Sequence, residues 1–138
     1  MEERFNEATT LRPHGNRTMD ALLVTIDLPA FIVQIRKEKS WKEHDRNAIT
    51  VFKTNGMRIV LIALHKGAEM TKHRADGLIS VQVLEGEMLF NTDEQSVELG
   101  KGQMLALHTG MLHSLLAKTE TIFLLTLTTT LENTASIK

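Results

Sequence analysis

Residues 67–117 read GAEMTKHRADGLISVQVLEGEMLFNTDEQSVELGKGQMLALHTGMLHSLLA, and this stretch decides the fold. It contains two histidines, His73 and His113, each at the edge of a short apolar run. Glycine turns such as Glu85-Gly86 separate the runs from one another. Short apolar runs that recur between glycine turns are typical of an all-β sandwich or barrel.

The same pattern continues on both sides of this stretch. Asn55-Gly56 is a strong hairpin signal between two runs of β-forming residues. The run Met57–Leu64 is apolar on both faces, which predicts a strand between two layers. The polar outward positions of residues 126–130 predict an edge or subunit-contact strand. We expect strands at about 49–52, 57–64, 78–84, 87–91, 95–99, 103–107, 112–117 and 121–129.

The N-terminal third has a different character. A polar arm comes first, followed by a short strand at residues 22–26. Asp27 and Pro29 then predict the start of a helix over about 29–39, whose apolar residues share one face. Trp41 is expected to anchor this helix to the body of the domain. We therefore divide the chain into an arm and helix (1–47), a barrel (48–130) and a C-terminal tail (131–138).

Composition restricts the classes of function. The 138 residues, 42% of them hydrophobic, suffice for one domain with a real core. A net charge of −1 without a long basic cluster argues against nucleic acid or an anionic membrane as partner. The absence of cysteine excludes disulfides, thiolate catalysis and cysteine-ligated zinc. With no secretory signal or membrane span in the sequence, we expect a cytoplasmic protein.

Segment 67–117 resembles the cupin superfamily of small jelly-roll barrels, whose two sequence motifs supply metal ligands. Gly67, His73 and the run Val81–Gly86 resemble the first motif. The turns at residues 100–102 and 108–110, followed by His113, resemble the second. The resemblance implies an all-β cupin jelly roll with an N-terminal arm and one short helix outside it. It also implies a homodimer, because small single-domain cupins commonly form two-fold dimers.

The chain departs from these motifs at the positions of the metal ligands. Thr71 stands where the first histidine is expected, and Ile79 stands where the glutamate is expected. Of the usual four ligands, the resemblance therefore leaves His73 and His113 as metal ligands. Catalytic metal sites normally have three protein ligands and an open position. The third would come from water or from one of these residues: Glu69, Asp76, His44, His65 and Gln82.

The strand over 78–84 indicates what surrounds the histidines. Because side chains alternate along a strand, Ile79, Val81 and Val83 share one face, and Gln82 points the other way. If that face lines the barrel, the cavity is apolar. The predicted cavity residues are His73, His113, Ile79, Val81, Val83, Met104 and Leu115. Arg58, within an otherwise apolar strand, either pairs with a carboxylate or points at an acidic ligand.

Two functions from different classes follow. The first is a binding protein that holds a small apolar or mixed-polarity molecule in the barrel without chemistry. The second is a metal-dependent cupin enzyme, an oxygenase or isomerase, that uses His73 and His113 and a divalent transition metal as cofactor. The pair also fits two metal-free interpretations: hydrogen-bonded cavity histidines, or acid–base work by one of them near neutral pH.

Overall fold

The computed structural model describes residues 4–6 and 17–129 of the chain. The predicted tail and most of the predicted arm lie outside these residues. The described elements are β1 (Arg4–Asn6), β2 (Arg17–Asp20), α1 (Leu28–Lys37), α2 (Lys39–Glu43), β3 (Arg46–Lys53), β4 (Met57–Leu64), β5 (Glu69–His73), β6 (Ile79–Glu85), β7 (Glu87–Thr92), β8 (Ser96–Gly100), β9 (Met104–Leu107), β10 (His113–Ala117) and β11 (Thr121–Thr128). No helix among them is long and apolar enough to cross a membrane.

Two antiparallel sheets form the body of the molecule. One has five strands in the order β3-β4-β11-β6-β9, and the other has four in the order β5-β10-β7-β8. The short strands β1 and β2 form a separate two-stranded sheet. This architecture confirms the predicted all-β fold. The edge position predicted for residues 126–130 is wrong, because β11 lies between β4 and β6 at the centre of its sheet. A contact of the segment with a second subunit stays a prediction.

The main core lies between the two sheets. On β6 the side chains of Ile79, Val81 and Val83 are buried, and the intervening residues are only half-buried. This alternation places one face of the strand inward, as the sequence predicted. The four-stranded sheet contributes Met88 and Phe90 to the same core. Burial of these apolar side chains from both sheets is the main force that holds the sheets together.

A second core lies on the outer face of the five-stranded sheet, under α1. Asp27 caps this helix by accepting a hydrogen bond from the Ala30 amide (3.1 Å), and Pro29 lies in its first turn. Ile35 is fully buried against the side chains that β3 and β4 direct outward. Because β4 faces a core on each side, its apolar run needs no polar face, which explains the sequence signal at Met57–Leu64.

The segment around α1 differs from the sequence prediction in two respects. The single predicted helix is two helices, because Glu38 has an extended backbone that ends α1 and precedes α2. The Trp41 side chain on α2 is buried and stacks on the ring of His65 (ring centroids 3.4 Å apart). The predicted strand at residues 22–26 is absent. Leu22 and Leu23 there are 87% and 82% exposed, so their apolar side chains are not part of a core.

Candidate functional site

The two histidines of the sequence motifs meet in the four-stranded sheet. His73 ends β5 and His113 begins β10, and the two residues are direct cross-strand partners. Their ring centroids are 4.3 Å apart, and the ring planes are inclined at 60°. A register shift follows immediately, between His113 and Leu115. The pairing of two distant strands thus brings together the histidines that the sequence singled out.

Both imidazoles are oriented by the backbone in the same way. His73 Nδ1 lies 2.7 Å from the carbonyl oxygen of Thr71, and His113 Nδ1 lies 3.0 Å from that of Met111. A carbonyl oxygen only accepts hydrogen bonds, so Nδ1 carries the proton in each ring. In a neutral imidazole the other nitrogen, Nε2, is then an acceptor. The two rings therefore offer two Nε2 lone pairs to a hydrogen-bond donor or a metal ion.

Burial distinguishes the two rings. His113 is only 4% exposed and lies parallel to the ring of Phe90 (interplanar angle 12°), whereas His73 is exposed. Burial lowers the pKa of His113 from its ordinary value, and the charge of a protonated His73 lowers this pKa further. The Met111 carbonyl has the opposite effect on the pKa and does not outweigh the burial. His113 is therefore a neutral acceptor at pH 7.

A cavity of about 600 Å³ opens in front of the histidine pair. Its apolar wall is formed by side chains of the five-stranded sheet, Ile79, Leu125 and Leu127. The exposed side of the cavity is lined by charged residues, namely Lys53, Arg58, Arg74 and Asp76. We call the three cations Lys53, Arg58 and Arg74 the cationic rim. The cavity thus combines an apolar wall, two imidazoles and a rim with an excess of positive charge.

The predicted cavity residues fall into three groups. His73, His113 and Ile79 line the cavity. Val81, Val83 and Leu115 are buried in the core between the sheets and are not among its lining residues. Met104 forms the third group, because it is exposed and lies outside both the cavity and the core.

The prediction that Met104 lines the cavity is wrong. Its side chain is 56% exposed. Met104 pairs with Gln82, whereas the next residue, Leu105, pairs with the inward-facing Val81. The alternation of side chains therefore directs Leu105 toward the core and Met104 toward solvent. Binding of a ligand by the lining residues stays a prediction.

The candidate third ligands are dispersed. Asp76 lines the cavity, but Glu69 and His44 are exposed elsewhere. His65 is half-buried, and its Nε2 lies 2.9 Å from the Trp41 carbonyl oxygen. Within residues 4–6 and 17–129, no three His, Cys, Asp or Glu side chains converge on one point. The described donors therefore do not complete the three-ligand set of a catalytic metal site.

Two residues of the cationic rim carry no signal in the sequence that assigns them to the site. Arg58 does carry a signal, because it interrupts an apolar strand. The sequence analysis predicts that it either pairs with a carboxylate or points at an acidic ligand. Neither Lys53 nor Arg74 had such a signal, because a lysine before a turn and an arginine in a loop are ordinary surface residues. Arg74 also donates a hydrogen bond to the Gly110 carbonyl oxygen (2.6 Å), which ties the β5–β6 loop to the turn before β10.

Comparisons with known proteins identify the architecture. No protein-family model and no curated protein sequence matches the chain. Among solved structures, the chain is similar to a cupin superfamily protein from Desulfitobacterium hafniense, with a TM-score of 0.62 and 17% identity over 64% of this chain and 81% of that one. It is also similar to a cupin-2 domain containing protein from Shewanella frigidimarina, with a TM-score of 0.60 and 17% identity over 74% and 92% of the two chains.

An enzyme is among the similar structures. Salicylate 1,2-dioxygenase from Pseudoaminobacter salicylatoxidans matches with a TM-score of 0.55 and 22% identity, over 60% of this chain and 25% of that one. At this level of identity the similarity establishes the fold and does not transfer an activity. The resemblance of residues 67–117 and the three-dimensional match agree: the chain adopts the cupin fold, as a small jelly-roll barrel with helices packed on one face.

Proposed function

We propose that this chain binds a small organic molecule of mixed polarity in the cavity beside His73 and His113. The observation that carries the proposal is the composition of this cavity. One wall is apolar, and the opposite sheet presents two imidazoles whose Nε2 atoms are acceptors. Ligand pockets of proteins are mostly apolar with a few polar groups that fix the orientation of the ligand. Its volume of about 600 Å³ lies within the usual range for such pockets.

A hydrophobic fluorescent probe tests this proposal. Phenylnaphthylamine is uncharged and becomes fluorescent in apolar surroundings, so it reports occupancy of the cavity. We expect one molecule to bind per chain. Leu127 lines the cavity and is only half-buried, so Leu127→Trp should fill part of the space and abolish binding.

Met104→Trp is the matched control, because it adds the same indole to an exposed side chain outside the cavity. It should leave the binding of the probe unchanged. Equal fluorescence in the wild type and Leu127→Trp, with both chains folded by circular dichroism, would show that the probe does not occupy this cavity. The proposal would then be wrong.

A metal-dependent enzyme is the second candidate, and one observation favours it. Both Nδ1 atoms are held by backbone carbonyls, an arrangement that commonly orients metal-binding histidines and leaves Nε2 for the ion. His73 and His113 would be the residues that hold the ion, and a bound divalent metal would supply Lewis-acid or redox chemistry. The described residues lack a third ligand, so we derive no catalytic step.

Elemental analysis separates the two candidates. A stoichiometric transition metal in protein from metal-replete cultures, lost in the His73→Ala, His113→Ala double variant, would favour the enzyme. His44→Ala is the control, since His44 is exposed and is not among the lining residues. Retention of the metal in the double variant would rule out this pair as its ligands.

A further inference from the structure

Arg58 lies on the face of β4 that is directed toward the cavity, and the other residues described on that face are apolar. On β4 the side chains of Leu64, Ile62 and Val60 face the core between the sheets, and Arg58 is the next residue on that face. Its cross-strand partner on β11 is Leu127, which in turn pairs with Ile79 of β6. The guanidinium of Arg58 is therefore aligned across the sheet with Leu127 and Ile79, two residues of the apolar wall.

A β-bulge brings a second cation next to it. Before the bulge, Thr50 pairs with Val60, and after it Phe52 pairs with Ile59 and Lys53 with Arg58. Residues directly opposite each other share a face, so Lys53 lies on the cavity side. Without the extra residue in β3, the alternation of side chains would direct Lys53 to the other face. Bulges near functional sites often redirect a side chain in this way.

The pairing of Lys53 with Arg58 is unfavourable in the free protein. Like charges directly opposite each other on neighbouring strands destabilise a sheet. Among the described residues, neither side chain has an ion pair or a hydrogen bond to a carboxylate. Among the described residues that line the cavity, Asp76 is the one carboxylate, against the three cations of the rim. The chain as a whole has more acidic than basic residues, 17 against 16, so this excess of positive charge is local.

We propose, on the basis of the proposed function, that the ligand is a small organic acid whose oxyanion group binds between Lys53 and Arg58. Its apolar body lies against Leu125 and Leu127. The planar guanidinium of Arg58 matches a carboxylate in two parallel hydrogen bonds, and Lys53 supplies a point charge. Hydroxyl or amine donors of the ligand reach the Nε2 acceptors of the histidine pair on the opposite sheet. The ligand thus supplies the counter-charge that the rim lacks.

Two probes that share one ring system test this inference. Anilinonaphthalene sulfonate is phenylnaphthylamine with a sulfonate added, so the ratio of their affinities reports the contribution of the anionic group. We expect the sulfonate to bind about tenfold more tightly to the wild-type chain, the size of effect that two partly exposed charge pairs supply. The preference should decrease with added salt, because salt screens exposed charges.

Variants assign the preference to the rim. The Lys53→Met, Arg58→Met double variant should lose about tenfold in affinity for the sulfonate and bind the amine as the wild type does. Lys101→Met is the matched control, since Lys101 is an exposed lysine outside the cavity. It should change neither affinity. Displacement of the bound sulfonate by phenylacetate and by phenyl phosphate then distinguishes a carboxylate ligand from a phosphate ester.

The outcomes separate this inference from the proposed function. If the amine and the sulfonate bind equally well, or if the double variant weakens both equally, the cavity binds ligands without a preference for anions, and the inference is wrong while the proposed function stands. If neither probe binds, or if both still bind to Leu127→Trp, the proposed function fails and the inference fails with it.

Discussion

His73 and His113 are cross-strand partners, yet one imidazole is exposed to water and the other is buried against Phe90. Each ring is fixed by the same type of hydrogen bond, from Nδ1 to a backbone carbonyl oxygen, so the two imidazoles differ in their exposure to solvent. A proton on the exposed ring also disfavours a proton on the buried one. The two imidazoles on this wall of the cavity therefore differ in how readily they bind a proton.

This inequality predicts a dependence of stability on pH. The pKa of His113 is lowered in the folded chain, so the unfolded chain binds more protons below the ordinary value of 6.5. The free energy of unfolding therefore has its full contribution from His113 above pH 6.5 and loses it as the pH falls toward the lowered pKa. Melting temperatures between pH 5 and pH 8 measure this loss.

The His113→Gln variant should lack this part of the decrease, because glutamine does not titrate. His44→Gln should behave as the wild type, since His44 is exposed. The same decrease of melting temperature in His113→Gln and in the wild type would show that other groups are responsible.

Arg58→Met should stabilise the free protein, although Arg58 is inferred to bind the ligand. Removing one of two opposed like charges should raise the free energy of unfolding by about 0.5 kcal/mol. Lys53→Met should have a similar effect, and the two gains should not add, because either change removes the same repulsion. Urea denaturation of both single variants and the double variant gives the coupling. A loss of stability in Arg58→Met would instead indicate a structural role for the guanidinium.

Gly77→Ala should be strongly destabilising. A Cβ atom at Gly77 would lie 1.7 Å from the carbonyl oxygen of Thr128, so β11 and the loop before β6 would have to separate. Overpacking of this kind costs about 1–3 kcal/mol or more. Gly56→Ala is the control, since a Cβ atom at Gly56 would have no neighbour within 4 Å and the φ of this residue is not positive. Denaturation midpoints that fall equally in both variants would contradict the steric argument.

The homodimer implied by the sequence stays a prediction, and the exposed pair Leu22 and Leu23 offers a way to test it. These residues lie in the bend between β2 and α1, next to the predicted arm. If they contact a second copy, the Leu22→Ser, Leu23→Ser double variant should shift the mass measured by light scattering from dimer toward monomer. Val97→Ser is the control, because it also replaces an exposed apolar side chain, on β8 and outside the bend. A wild-type mass of one chain at all concentrations would refute the dimer.

The sequence predicted those strands whose side chains alternate or whose turns demand glycine. The turn between β6 and β7 is an example, because Gly86 has a φ of +89°, and a Cβ there would meet the Glu120 carbonyl oxygen at 2.1 Å. β5 was missed for the opposite reason. Of its five residues Met70 alone is half-buried, so the strand is held by its pairing with β10 and has no apolar pattern of its own.

The site was predictable to the extent that a motif marks it. His73 and His113 were found because the cupin motifs name their positions, and Ile79 followed from the alternation along β6. Lys53 could not be found, since its direction depends on one bulge in β3, and a bulge leaves no mark in this sequence. The central position of β11 was also hidden, because the order of strands in a sheet depends on contacts between distant residues.

The position of β11 has a consequence for how the chain acquires its structure. β11 fills the gap between β4 and β6, and it contributes the fully buried Phe123 to the core. During synthesis, β4 and β6 emerge first, and each presents an unpaired edge until residues 121–128 leave the ribosome. The barrel therefore closes only after translation of this strand, through pairings between residues far apart in sequence, which fold slowly. Until then the unpaired edges and the uncovered apolar side chains of the nascent chain favour its aggregation.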